Sequence, residues 1–278
     1  MATEDYTAAV NAQYATGNLS ERILSGLRAA GKDPDALTPV DLAPVDQFHT
    51  GGRDATLRLA ERAGLRAEMR VLDVGGGVGG PARTLAAEIS CAVTVLDLTE
   101  EFCRVGTMLT ERTALTDRAT FRHGDALAMP FPDGSFDLVW TQHATMNIPH
   151  KARLFAEIAR VLRPGGRFAF HEIFAGPVQP PTFPLPWARD PAASFLLPPD
   201  EVRAILDANG FREVFWEDET APAIGWFREA GRRAAEHGLP PLGLHLLLGD
   251  DFGPRFGNVL PDLEQGRLMI VQGVFDRA

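Results

Sequence analysis

The chain has 278 residues, of which 45% are hydrophobic and 23% are charged, and its net charge is −10. This composition is typical of a globular protein with one large domain, and the acidic balance argues against a nucleic-acid substrate, because phosphate backbones are bound mainly by Lys and Arg. The two cysteines, Cys91 and Cys103, are too few for a disulfide framework or a four-cysteine zinc site.

Residues 1–52 are predicted to form a helical N-terminal arm. The opening MATEDYTAAV lacks the apolar core of a secretion signal, and no apolar run in the chain is long enough for a membrane span, so we expect a cytoplasmic protein without a membrane partner. A first helix is predicted from a cap at Ser20 to Gly31. A second is predicted to begin with Thr38 as its N-cap and Pro39 at its first position.

From Val71 the sequence alternates between strand and helix patterns. Five apolar runs read as strands: RVLDV, AVTVLDL, ATFRHGDA, FDLVWTQ and RFAFHEIF. The segment KARLFAEIARVL places its apolar residues on one helical stripe, and RPGG is expected to end that helix. Strands rich in Val, Leu and Phe without polar alternation favour a parallel sheet covered on both faces. The fold class is therefore α/β, an open Rossmann-like sheet.

The composition changes again after Phe174. Residues 174–199 are rich in proline and are predicted to form a lid, and residues 221–265 are predicted to form a helical insertion. Two further strands are expected at EVFWED and RLMIVQGVF. We therefore assign residues 53–278 to one domain, in which the arm and the two insertions cover the ligand edge of the sheet.

The stretch VLDVGGGVGGPAR contains five glycines in six positions after a predicted strand. Ligands of such sheets bind beyond the carboxyl ends of the strands, and glycines allow a ligand to lie against bare backbone N–H groups. The run fits the dinucleotide pattern through Gly75, Gly77 and Gly80, and the S-adenosylmethionine pattern through Gly75, Gly77 and Gly79. Asp73 favours the second pattern, because a carboxylate there repels a pyrophosphate and suits a ligand with an ammonium and a sulfonium.

Two more acids follow predicted strand ends. Asp97 ends the second strand, where a carboxylate accepts hydrogen bonds from ribose hydroxyls in either cofactor class. Asp125 ends the third strand, where it could hold an adenine amino group. Each has a plain structural alternative, a helix N-terminal acid for Asp97 and a loop carboxylate for Asp125.

The motifs LDVGGGVGGPARTLA, VTVLDLT, GDALAMPFPDGSFDLVW and EIARVLRPGG, in this order, resemble the class I S-adenosylmethionine-dependent methyltransferases. Within them the chain is most similar to the small-molecule branch that includes ubiquinone and menaquinone biosynthesis enzymes and sarcosine/dimethylglycine methyltransferases. The resemblance covers roughly residues 45–175. It implies a seven-stranded sheet whose final hairpin supplies an antiparallel strand, and S-adenosyl-L-methionine as the cofactor.

The resemblance also implies roles for individual residues. Asp73 and the loop glycines would flank the methionine moiety, Asp97 would bind the ribose, and the turn HTGG would cap the methionine carboxylate. In relatives, the residue at the position of His143 approaches the sulfonium side of the cofactor. The cofactor-binding residues expected on this basis are Thr50, Gly51, Gly52, Asp73, Gly75, Gly77, Gly79, Asp97, Leu98, Asp125, Ala126, Gln142 and His143.

Four residues are candidates for a general base. His143, His171 and Glu172 follow or end predicted strands, and His49 lies in the arm. His171 and Glu172 are neighbours on one strand and point to opposite faces, so only one of them can line the ligand cavity. Structural polar roles remain open for all four, and their spacing fits no known metal site, so we expect no metal.

The proline-rich segment is the predicted acceptor site. Phe183, Trp187 and Phe195 offer an apolar pocket that could hold an amine cation or a phenol ring, and Arg189 could bind a substrate carboxylate. The same aromatics could instead pack the segment onto the sheet.

The sequence thus predicts transfer of a methyl group from S-adenosyl-L-methionine to the N, O or C atom of a small molecule. Two alternatives stay open: a nicotinamide-dependent oxidoreductase, which shares the Gly-x-Gly-x-x-Gly pattern, and a non-catalytic protein that binds S-adenosylmethionine. The expected partner is a small-molecule substrate, and the oligomeric state, including a homodimer, stays open.

Overall fold

A computed structural model describes Tyr6, Tyr14 and residues 17–278. Its centre is one seven-stranded sheet, in the order β3-β2-β1-β4-β5-β7-β6. Strands β1 to β5 run parallel, whereas β7 pairs antiparallel with both β5 and β6. The strands are Arg70–Val74 (β1), Ala92–Asp97 (β2), Ala119–His123 (β3), Phe136–Gln142 (β4), Leu162–Ala175 (β5), Phe211–Asp218 (β6) and Leu268–Arg277 (β7). The predicted α/β sheet with an antiparallel final strand is confirmed.

Helices cover both faces of this sheet and its ligand edge. The α-helices of residues 17–278 are Leu19–Ala29 (α1), Pro39–Asp46 (α2), Gly52–Arg62 (α3), Gly80–Ile89 (α4), Glu100–Arg112 (α5), Lys151–Val161 (α6), Pro199–Ala208 (α7), Thr220–His237 (α8), His245–Leu248 (α9), Phe252–Gly257 (α10) and Val259–Glu264 (α11). Within the described residues, no helix is both long and apolar enough to cross a membrane.

The core divides into two layers because neighbouring strand residues point to opposite faces. Leu72 faces α6 and α7, while Val71 faces α3 and α4. Both layers are built from fully buried aliphatic and aromatic side chains, and Trp140 fills the layer under α3.

Two element boundaries differ from the prediction. Helix α1 begins at Leu19 with Asn18 as its N-cap residue, so Ser20 lies inside the helix rather than at its cap. RPGG does not form a separate turn, because strand β5 already begins at Leu162 and includes these residues. The predicted cap at Thr38 is present, and its hydroxyl accepts from the Asp41 backbone N–H.

A buried ion pair holds the N-terminal arm against helix α4. Arg83 on α4 bonds Asp46 at the end of α2 at 2.8 Å, and neither side chain is solvent-exposed beyond 1%. Gly80 allows this approach, since a Cβ there would lie 2.1 Å from the Asp46 carbonyl oxygen. This ion pair therefore holds the end of α2 against the start of α4.

Candidate functional site

A cavity opens at the carboxyl ends of β1, β2 and β4. This is the edge where ligands of open α/β sheets bind. We call it the cofactor cavity. Its lining is Tyr6, Tyr14, Asp46, Phe48, His49, Asp73, Gly75, Gly76, Gly77, Val78, Pro81, Leu96, Asp97, Leu98, Thr99, Phe102, Gly124, Ala126, Gln142, His143, Ala144, Asn147, Ile148 and Leu247.

The glycine run forms the floor of this cavity. Gly75, Gly77 and Gly79 all have positive φ, a conformation that side chains disfavour. A Cβ on Gly75 would lie 2.5 Å from Cβ of Ala144, in the loop after β4. Gly79 has a different place from the other two, because it precedes α4 as its N-cap residue and does not line the cavity. The run therefore brings bare backbone to the ligand between β1 and α4.

Two carboxylates face the cavity beside the glycines. Asp73 is 1% exposed, and its Oδ2 has no hydrogen-bond partner among the described residues. Burial, reinforced by the negative charge of Asp97, raises the pKa of Asp73 to about 8. Asp97 accepts from the Gly77 N–H at 2.9 Å and the Thr99 N–H at 2.8 Å, and burial raises its pKa as well. Since the described lining contains no Lys or Arg, this cavity favours a cationic ligand over a pyrophosphate.

Leu98 and Ala126, the residues expected beside an adenine ring, both line the cofactor cavity. Asp125 does not line the cavity, because its carboxylate turns back to accept from the Leu127 N–H at 2.8 Å. The structure thus places Gly124 and Ala126, rather than the Asp125 side chain, in the lining of this cavity.

The HTGG turn does not lie where a cap on the methionine carboxylate of the cofactor was expected. Thr50 lines a second cavity rather than the cofactor cavity. Gly51 is the N-cap residue of α3 with φ of +76°, and neither it nor Gly52 lines either cavity. The turn instead orients His49, whose Nε2 lies 3.0 Å from the Gly52 carbonyl oxygen.

The second cavity adjoins the first and is mainly aromatic. We call it the aromatic cavity. Among the described residues around it there is no Asp, Glu, Lys or Arg. Its lining is Tyr14, Phe48, His49, Thr50, His143, Met146, Ile173, Pro186, Trp187, Trp226, Phe227, Leu244, Phe256 and Val259. Four of these residues also line the cofactor cavity, namely Tyr14, Phe48, His49 and His143.

Three histidines from distant parts of the chain meet at this shared wall. The ring centroids of His143 and His171 are 5.0 Å apart, and that of His49 lies 6.3 and 6.1 Å from them. Burial lowers the pKa of His49 to about 4 and the pKa values of His143 and His171 well below the usual range. All three rings are therefore neutral at pH 7. His171 itself lines neither cavity.

Glu172 points away from these histidines, to the opposite face of β5. Its carboxylate accepts from the backbone N–H groups of Ala144 and Thr145 at 3.1 to 3.2 Å, and burial raises its pKa to about 7. It lines neither cavity. Its observed contacts therefore hold the loop after β4, the loop that carries Ala144 against Gly75.

Of the four predicted acceptor residues, only Trp187 lines the aromatic cavity. Phe183 packs against the neighbouring core cluster, and Phe195 donates its backbone N–H to the Met146 carbonyl. Arg189 lies outside, half-exposed, with its guanidinium paired to Asp251 at 2.7 Å. The proline-rich segment thus contributes a wall to the cavity, and its arginine is directed to another partner.

Several lining residues were not predicted from the sequence. Tyr14, Phe48, Trp226 and Phe256 come from the arm and from the late helices, and nothing in their local sequence marks them as ligand-facing. Asn147, which lines the cofactor cavity, was not predicted either. Its Nδ2 donates to the Trp187 carbonyl at 2.8 Å, and its Oδ1 accepts from the Tyr14 hydroxyl at 2.9 Å. The described residues contain no cluster of three or more His, Cys, Asp or Glu suited to a metal ion.

Comparison with known proteins gives this fold and cavity a family context. Residues 72–170 match a family described as "Methyltransferase domain". The chain is 42% identical over 114 residues to sterol 24-C-methyltransferase ERG6B of Gibberella zeae, a match covering 41% of this chain and 30% of that protein. It is 37% identical over 128 residues to 27-O-demethylrifamycin SV methyltransferase of Amycolatopsis mediterranei, covering 45% and 47%. The matched stretch is thus less than half of either relative's length.

The fold extends the likeness over the whole chain. Geranyl diphosphate C-methyltransferase from Streptomyces coelicolor A3(2) superposes with a TM-score of 0.71 at 17% identity, covering 100% of this chain and 99% of that one. At this identity the likeness concerns the fold alone. The predicted resemblance to methyltransferases is confirmed: residues 72–170 match a methyltransferase domain, and the seven-stranded Rossmann-like fold is shared with a solved methyltransferase.

Proposed function

We propose that this chain is an S-adenosyl-L-methionine-dependent methyltransferase whose acceptor is an uncharged, apolar small molecule. The observation that carries the proposal is the shared wall between the two cavities. An acidic, glycine-floored cavity meets an aromatic one at His49 and His143, and this is where a cofactor's reactive end and an acceptor can meet.

The residues of the cofactor cavity fit this cofactor. The unpartnered Oδ2 of Asp73 is a buried acceptor suited to an ammonium group. Asp97 ends β2 beside the Gly77 N–H and would hold the ribose hydroxyls, while Leu98 and Ala126 would flank the adenine. When bound, S-adenosyl-L-methionine supplies an electrophilic methyl carbon on a sulfonium.

The chain's own contribution is to position the acceptor and to exclude water. Trp187 and Phe256 form apolar walls, so an acceptor held there is stripped of solvent. Its nucleophilic atom would point to the wall shared with the cofactor cavity. Positioning of this kind supplies much of the rate of a displacement at carbon.

The aromatic cavity favours a neutral acceptor over an amino acid. A carboxylate or ammonium buried there would lack a charged partner among the described lining residues. Arg189, the predicted carboxylate partner, is already paired with Asp251 outside the cavity. A polyketide, terpene or quinone-like molecule is therefore preferred to an amino-acid-like amine.

Calorimetry and a transfer assay test this function together. We expect S-adenosyl-L-methionine and S-adenosylhomocysteine to bind with one site per chain and NAD⁺ not to bind. Binding of NAD⁺ in place of both would support the oxidoreductase alternative. Binding of S-adenosylhomocysteine without transfer of labelled methyl to any neutral hydroxylated, aromatic or terpenoid compound would support the non-catalytic alternative.

We also propose that the protein works in the cytoplasm and binds neither nucleic acid nor membrane. The net charge of −10 supports the exclusion of nucleic acid. A homodimer is one proposed assembly, and light scattering of the purified protein distinguishes it from a monomer.

A further inference from the structure

His49 occupies the turn before α3 and is the part of the shared wall whose ring is held most firmly. The residue is 5% exposed and lines both cavities. Its Nε2 lies 3.0 Å from the Gly52 carbonyl oxygen, and that oxygen can only accept. Nε2 therefore carries the hydrogen, and in a neutral imidazole the other nitrogen, Nδ1, keeps a lone pair.

A second chain of hydrogen bonds imposes the same tautomer. The Trp140 indole N–H, a group that can only donate, lies 2.9 Å from Gln142 Oε1. The Thr56 hydroxyl has two amide oxygens as acceptors, Gln142 Oε1 at 3.1 Å and Gln47 Oε1 at 3.4 Å, and donating to either one uses its single hydrogen. Thr56 Oγ1 can then only accept from His49 Nε2, 3.1 Å away. A buried tryptophan two residues before the end of β4 thus fixes the protonation of a histidine in the arm.

The other two histidines are not held in this way. Both ring nitrogens of His171 are buried without a hydrogen-bond partner in the described part of the chain, as is Nε2 of His143. His171 also lines neither cavity. A general base needs a lone pair at the reacting group and a partner that orients its ring. Of the three, His49 has a ring oriented by hydrogen bonds and lines both cavities.

We propose that His49 Nδ1 is the base that accepts the proton of a neutral hydroxyl group on the acceptor, which makes the reaction an O-methylation. This inference rests on the methyltransferase function proposed above. The acceptor's O–H bond breaks, its electron pair stays on oxygen, and the proton forms an N–H bond with the Nδ1 lone pair. The oxygen lone pair would then form the C–O bond to the methyl carbon as the methyl–sulfur bond breaks and its electron pair stays on sulfur, and the imidazolium later returns its proton to water.

The charge of the buried site supports this step. Protonating His49 alone is costly, because burial disfavours the imidazolium. During methyl transfer the sulfonium loses its positive charge as the histidine gains one, so the net charge of the site does not change. His49 also borders both cavities, so the charge moves over a short distance.

Nitrogen NMR of histidine-labelled protein tests the fixed tautomer without any acceptor. At pH 7 we expect His49 to carry its hydrogen on Nε2, with an unprotonated Nδ1, both alone and with S-adenosylhomocysteine. In T56V and W140F we expect the populations of the two tautomers to shift toward Nδ1–H. A wild-type His49 that is protonated on Nδ1, or on both nitrogens, overturns the proposal.

Chemical methylation tests whether the lone pair faces the acceptor site. Methyl 4-nitrobenzenesulfonate is a neutral aryl reagent that suits the aromatic cavity, and digestion with mass spectrometry locates its product. We expect methyl on Nδ1 of His49 at least tenfold above His143 and His171, and no methyl at residue 49 in H49Q, which keeps a donor near the Gly52 carbonyl. H171Q is the matched control and should label like wild type. Preferential labelling of His143, labelling of His49 on Nε2, or no labelling of the folded protein would each overturn the assignment.

The two proposals fail in different ways. If wild-type protein does not bind S-adenosylhomocysteine in calorimetry, the methyltransferase function fails whatever the state of His49. If it binds and the NMR or labelling result is the contrary one, only the role of His49 is withdrawn.

Discussion

The cofactor cavity and the aromatic cavity share a wall but are built in different ways. The first is floored by backbone and acids from β1, β2 and the loops that follow them, all inside the matched residues 72–170. The second is walled by side chains from the arm and from segments beyond residue 170, such as Trp187, Trp226 and Phe256. The difference teaches that the donor half is built from segments close together in the matched stretch, while the acceptor half depends on packing between distant parts of the chain.

The largest expected effect concerns Trp187, which is both a wall of the aromatic cavity and a core residue. It is 1% exposed, and its indole N–H bonds Ser194 Oγ at 3.0 Å. We expect Trp187→Ala to reduce the free energy of unfolding by about 3–5 kcal/mol, because it leaves a buried cavity. Urea denaturation measures this, and Trp226→Ala, at a half-buried site on the same wall, should cost less.

The same variant tests whether the two regions are separate. S-adenosylhomocysteine affinity of folded Trp187→Ala should stay within about twofold of wild type, because the ring does not line the cofactor cavity. A parallel loss of cofactor affinity would show that the two cavities act as one unit.

The shared wall should make the protein sensitive to acid. The pKa of His49 is about 4 in the folded chain, below its ordinary 6.5, so the unfolded chain binds more protons between these values. Stability therefore falls as the pH decreases from 6.5 to 4, by up to about 3 kcal/mol from His49 alone. Urea denaturation across this range measures the loss, and H49Q should show a shallower one. An equal slope in H49Q would contradict the lowered pKa.

Replacing Asp97, the proposed ribose-binding residue, should have a smaller effect, which concerns cofactor affinity. Removing the Asp97 carboxylate deletes charged hydrogen bonds, so we expect Asp97→Ala to weaken S-adenosylhomocysteine binding by about 1–3 kcal/mol. Calorimetry measures the change. The control is Asp133→Ala, since that side chain is 80% exposed and lies outside the cavity. Unchanged affinity in Asp97→Ala would refute the ribose assignment.

The smallest effect is the pH dependence of cofactor affinity. Asp73 has a pKa of about 8 without ligand, so a cationic ligand must bind to its minor, ionised form at lower pH. Affinity for S-adenosyl-L-methionine should rise by up to about tenfold between pH 6 and 7. Asp73→Asn should bind more weakly and with a flat profile over the same range. A flat profile in wild type would contradict the role of Asp73.

The sequence predicts the sheet, and it predicts that Asp73, Gly75 and Asp97 lie at one cavity, for a physical reason. Asp73, Gly75 and Asp97 are placed by the ends of strands next to them in the chain, so local pattern determines their position. Asp125 also ends a strand pattern, but its side chain satisfies a backbone N–H two residues later, a turn that composition does not reveal.

The acceptor half could not be predicted in the same way. His49, His143 and His171 meet because α3 packs on the face of the sheet that carries His171, and no local signal encodes that packing. Arg189 is attractive in sequence, yet its partner Asp251 lies 62 residues away. The opposite directions of His171 and Glu172 do follow from strand alternation, but local sequence does not reveal that neither side chain lines a cavity.

The central claim is that a cationic methyl donor lies in the acidic cavity with its sulfur at the shared wall. A crystal structure with S-adenosylhomocysteine tests this most directly. We predict the amino group on Asp73, the ribose hydroxyls on Asp97, and the sulfur next to His49 and His143, facing the aromatic cavity. A ligand whose sulfur points away from that wall, or a nicotinamide nucleotide retained in its place, would contradict the account.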